Sequence, residues 1–136
     1  MVPTLKKFEK QNLSFTNYNE IIMNSLHITI DTPIYVGESV VYRGTNLKIN
    51  KFICSSFSNN LPTFSKILFI LSVNSEIYAI CESWNTLKIS SSCLGYIVKN
   101  TSILFVVKII NIPYTKNWEI YESLEKDLVI ITDYFL

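Results

Sequence analysis

Apolar residues fall into short runs along this chain, and most of the runs have the period of strands. Leu26, Ile28 and Ile30 alternate with His27, Thr29 and Asp31, which predicts a half-buried strand that Pro33 interrupts. Residues 34–43 resume as strand with a kink at Gly37 and Glu38, and Gly44, Thr45 and Asn46 supply a turn. A weaker alternation runs from Leu47 to Cys54, and residues 55–63 read as a loop. The clearest unit follows. Residues 64–73 and 76–83 are two β-rich runs separated by Asn74 and Ser75, the signature of a hairpin. Both runs are dense enough in apolar residues to be covered on two faces, so the core is expected here.

Residues 84–92 read as a connection, 95–98 as a short strand, Asn100 and Thr101 as a turn, and 102–110 as a second buried strand. In 112–125 the spacing of Trp118, Tyr121 and Leu124 permits one or two helical turns, and 128–131 is the last strand before an apolar end at 133–136. Apolar residues are sparse in 1–19, which predicts a partly ordered leader with a short helix near 5–11. A single domain is left over 20–136. The sum is seven or eight short strands with little helix, which predicts an all-β fold, a small sandwich or a barrel.

Composition narrows the class. Hydrophobic residues make up 49% of the 136 and charged residues 17%, with mean hydropathy +0.26. That much apolar surface excludes whole-chain disorder. A single alanine, Ala79, and a single glutamine, Gln11, argue against a helical coiled coil. The longest unbroken apolar runs, 67–71 and 103–107, are five residues each, far short of the ~20 a membrane helix needs. No secretory-type apolar stretch appears near Met1. Cys54, Cys81 and Cys93 are odd in number and widely spaced, which is no disulfide framework. Cys54 and Cys81 lie within apolar runs and are expected as buried thiols, and a reducing compartment, cytoplasmic or nuclear, fits best.

Catalytic chemistry finds little to build on. His27 is the sole imidazole and falls mid-strand, with no nucleophile elbow near it and no glycine-rich phosphate loop, since glycine occurs three times. Neither an enzyme, a metal site nor a cofactor is expected. Net charge is +1, with six basic residues against four acids over 1–51 and five acids against one lysine over 119–136. Phosphate recognition needs clustered cations. Tyr42, Arg43, Lys48 and Lys51 are the candidate cluster for weak single-stranded nucleic-acid binding, the second of two readings. The first is a protein-interaction module, its anchors the aromatics expected on loops: Trp84, Tyr114 and Trp118. The partner would be an unidentified protein. An exposed strand edge in so apolar a chain also predicts a homodimer. A third reading is a fragment or relic that folds without a specific activity.

Residues 40–86 resemble a BAH-type (bromo-adjacent homology) module. Val40, Val41, Tyr42 and Arg43 enter it, 64–70 is similar to that family's first long strand, and 77–84 to the answering strand that ends in an aromatic, here Trp84. After that aromatic the chain reads Asn85-Thr86, departing from the family's Trp-x-aromatic-x-Pro-Glu signature. The layout is also similar to C-terminal regions of uncharacterised insect mobile-element proteins. The resemblance implies an SH3-like barrel embellished by loops, with association to chromatin or mobile elements.

Overall fold

The computed structural model describes residues 2–90 and 95–132; Cys93 and the expected apolar end at 133–136 lie outside them. In chain order the strands are β1 (Thr4–Lys6), β2 (Glu9–Gln11), β3 (Ile34–Gly37), β4 (Ser39–Tyr42), β5 (Thr45–Lys48) and β6 (Phe52–Ser58). They continue as β7 (Leu61–Val73), β8 (Glu76–Ile89), β9 (Gly95–Lys108), β10 (Tyr114–Trp118), β11 (Ile120–Glu122) and β12 (Leu128–Ile131). One α-helix, α1 (Asn19–Leu26), and two single 3-10 turns complete the described chain. The fold is therefore all-β with minor helix and barrel-like, as the strand periods predict.

The long hairpin β7–β8 organises everything else. Asn74 and Ser75 both adopt left-handed backbone, with φ of 51° and 66°. This is the turn whose twist matches two flanking strands, and it suits Asn-Gly better than Asn-Ser. Ser75→Gly removes the Cβ strain and stabilises the chain by about 0.5–1 kcal/mol, read as a raised urea midpoint at constant m-value. An unchanged or lowered midpoint contradicts this reading of the turn.

All strand pairs are antiparallel, and the lower half of the hairpin is rolled into a circuit. β6 pairs with β7, β7 with β8, β8 with β9, and β9 with β12. β12 pairs with β11, and β10 pairs back onto β6. Glu119 alone separates β10 from β11, so this kinked segment closes the ring. Bulges in β6–β7, β7–β8 and β8–β9 add the local twist that closure requires. Phe52, Cys54, Phe64, Trp84, Tyr96, Val98, Trp118 and Ile130 fill the interior.

Above the ring, β7, β8 and β9 continue as a sheet covered on two faces. Ala79 and Cys81 of β8 and Ile70 of β7 pack against Val40 and Leu47 of the small sheet β1-β4-β5. The intervening Ile80 faces α1, with Leu71, Val73, Ile22 and Leu13. The alternation follows from the period of two in side-chain direction.

Several expectations are corrected. Residues 26–31 are not a strand. Ile22 and Leu26 share one face of α1 at i,i+4 spacing, and His27 ends the helix with φ of 54° and ψ of 44°. The helix expected near 5–11 is instead β1, which pairs with β4, and β2, which pairs with β3; Leu13 just beyond them is fully buried. The loop expected at 55–63 is a hairpin tip turning at Asn59 and Asn60, φ 52° and 65°. β8 runs on through Trp84 to Ile89, where a connection was expected. β9 is one strand, bulged at Ser102 (φ 59°), rather than two strands and a turn. Residues 114–122 are strand because Tyr114, Trp118 and Ile120 point inward at even spacing, and the helical spacing of 118, 121 and 124 is coincidental.

Candidate interaction site

The seven residues singled out from the sequence fall in different environments. Tyr42 is buried at the end of β4. Arg43 forms the left-handed turn beside it (φ 51°) and lays its guanidinium 5.1 Å from the centre of the Tyr42 ring, a cation–π contact. Lys48 is exposed on β5, and its backbone N–H donates to Asn117 Oδ1 at 3.3 Å. Asn117 Nδ2 in turn donates to the Asn46 carbonyl at 2.6 Å, tying β10 to β5. Lys51 is ion-paired with Glu119 at the kink between β10 and β11. Arg43 and Lys48 thus remain as outward cations, while Tyr42 and Lys51 are engaged within the fold.

Trp84 and Trp118 are not exposed loop anchors; they are 8% and 6% exposed inside the ring. Trp84 meets Phe52 edge-on at 5.2 Å and donates its indole N–H to Glu82 Oε1 at 3.1 Å. Trp118 meets Phe64 edge-on at 5.7 Å, and its buried indole N–H has no acceptor among the described residues. Tyr114 is half-buried, its ring edge-on to Phe57 at 5.8 Å. Continuation of the strand period through 84 and 118 is the signal that places both indoles inward.

Cys54 and Cys81 are buried free thiols, as expected. Burial pushes Cys54 up to about 11 and Cys81 up to about 12 from the ordinary 9.0. A low-pKa thiolate nucleophile is not available at either position. At pH 8, a thiol reagent labels these two residues only once denaturant is added. Between pH 9 and 11 unfolded thiols release protons that folded ones retain, so stability falls as pH rises through that window. Rapid labelling of either cysteine in the native chain contradicts the placement.

Three surface features stand out. A cleft of about 720 Å³ is lined by Lys6, Lys7 and Lys48 with Glu38, Ser39 and Asn46 among its walls. A smaller hollow of about 310 Å³ lies against Phe8 and Tyr35, whose rings meet edge-on at 6.0 Å. The third is the outer edge of β9. β12 pairs with β9 over Gly95, Tyr96 and Ile97; from 98 to 108 no strand pairs that edge among the described residues. Ile103 is 62% and Leu104 37% exposed, and residues 105–107 are half-buried at the rim of the two layers.

The sequence flags 103–107 as apolar but not as an edge. The bulge shields part of it, since Ser102 N–H donates to Asn100 Oδ1 at 2.8 Å and Ile103 N–H to Thr101 Oγ1 at 3.1 Å. Residues 104–107 carry no such local acceptor in the described hydrogen bonds and no charge. Compared with known proteins, the chain matches no family model, no curated protein and no solved structure. Its function is therefore read from this surface. Among the described residues, no helix is long and apolar enough to cross a membrane.

Proposed function

We propose that the chain is a non-catalytic protein-interaction module whose docking surface is the open edge of β9. The observation that carries this reading is an uncharged outer edge at 104–107, unpaired among the described residues, next to exposed Ile103. A sheet edge offers backbone donors and acceptors for an added strand, and apolar neighbours on both faces offer side-chain contacts. Natural sheets commonly blunt such an edge with a lysine or proline. Here Lys99 and Lys108 stand outside the run, and Lys108 is held by Glu76 at 3.3 Å.

An intracellular setting, cytoplasmic or nuclear, belongs to the same reading and is supported by the buried free thiols Cys54 and Cys81. The BAH-like or SH3-like type of barrel, and association with chromatin or mobile elements, rest on the resemblance of residues 40–86 alone. A second reading, weak single-stranded nucleic-acid binding, is supported by the convergence of Lys6, Lys7 and Lys48 on one cleft.

Cross-linking capture compares the native chain with Ile103→Lys. The interaction reading expects edge-dependent complexes that the variant loses. Identical complexes with both chains, together with salt-sensitive binding to single-stranded DNA, would move the function to the lysine cleft.

A further inference from the structure

The occupant of the β9 edge can be taken further, on the reading that this edge is a docking surface. We infer that it is a second copy of this chain, added antiparallel about a two-fold axis through Phe105. A free ladder edge is satisfied by an extended strand. A two-fold axis normal to the sheet brings each strand alongside its own copy, and the assembly closes at two subunits. Such pairing sets identical segments against each other, so any charge within the segment faces a like charge or sits close to one. Residues 100–107 carry none.

With Phe105 on the axis, Leu104 lies across from Val106 of the partner subunit, and Ile103 across from Val107 of the partner subunit. Lys108 then lies across from the bulge residue Ser102 of the partner subunit, and Lys99 falls beyond the bulge and outside the paired run, so no lysine meets a lysine. The net charge of +1 adds little repulsion between copies.

The two layers of the fold favour the same arrangement. Phe105 and Val107 are half-buried at the rim of the layer beneath the β1-β4-β5 sheet, and Val106 at the rim of the layer beneath α1. A strand added at β9 continues the sheet and covers both rims. β8 pairs with β9 on the inner side in continuous register from Leu104 to Lys108, so this run is already extended for a partner strand.

Sedimentation of the full chain over a roughly 200-fold concentration range tests this, with Ile103→Lys and the double variant Ile103→Lys/Leu104→Lys alongside. Leu124→Lys, at a 99% exposed position in the turn before β12, is the control. The expected result is a concentration-dependent dimer in the native chain and in the control, weakened about tenfold or more by Ile103→Lys. The double variant is read where its near-ultraviolet circular dichroism matches the native chain; otherwise Ile103→Lys alone decides.

A native chain that stays monomeric throughout overturns the self-pairing, and so does a dimer that both edge variants retain. A monomer that still loses its cross-linked complexes on Ile103→Lys overturns self-pairing alone and leaves the interaction reading standing. A monomer whose complexes ignore the edge variants overturns both.

Discussion

Replacing Phe64 by alanine lowers stability by about 3–5 kcal/mol, the range for deleting a fully buried aromatic ring. Phe64 is 0% exposed and sits on β7 at the centre of the ring interior. Its ring centre lies 5.6 Å from that of Tyr96 on β9 and 5.7 Å from that of Trp118 on β10. It therefore touches strands from opposite sides of the circuit, and truncation leaves a cavity that no single neighbour can fill. Stability of a domain this size is about 5–15 kcal/mol, so the loss takes a large share of it. Urea unfolding followed by tryptophan fluorescence reads the change. Phe57→Ala, at a 43% exposed position near the hairpin tip, is the comparison and costs far less. A loss below about 1 kcal/mol for Phe64→Ala would place the residue outside a packed interior.

Gly95→Ala has the second large effect. Gly95 opens β9 opposite Ile131, where β12 joins the ring. A methyl group there would press into the Ile130 carbonyl oxygen and lie 3.0 Å from the Ile131 Cα. Both obstacles are backbone, so neither can rotate away, and β12 must separate from β9. The expected cost is about 2–3 kcal/mol by overpacking, with faster amide exchange in β12 and β11 than in β7 or β8. Uniformly unchanged exchange would show that β12 does not close the ring through Gly95.

Sequence pattern exposed the centre of this fold more readily than its margins. The centre of the β7–β8 hairpin is covered on two faces, so it appears as two continuous apolar runs with a two-residue turn between them. β1 and β2 are three residues each, and a strand that short presents too few inward side chains to show a period. The stretch around α1 misleads because Leu26, Ile28 and Ile30 alternate after the helical pair Ile22 and Leu26, and Leu26 belongs to both patterns. Polar neighbours break the local alternation around Trp84 and Trp118 and give both the look of loop residues, but strand continuity turns both inward.

The candidate site shows the same limit. Residues 103–107 read as a core strand, but Ile103 and Leu104 are exposed, and Phe105, Val106 and Val107 pack at the rims of the two layers. Whether a strand has one ladder partner or two depends on where β12 ends, a tertiary fact that local pattern does not contain. The basic cleft is non-local in the same way, assembled from Lys6 and Lys7 near one end of the chain and Lys48 on β5.

Hydrogen exchange of the native chain at low and high protein concentration tests the account of the β9 edge most directly. Self-pairing predicts that the alternate amides of 104–107 that face the open edge gain protection at high concentration, while those of β7 and the Lys6–Lys48 cleft do not change. Equal exchange of 104–107 at both concentrations, or protection gained at another surface, would contradict it.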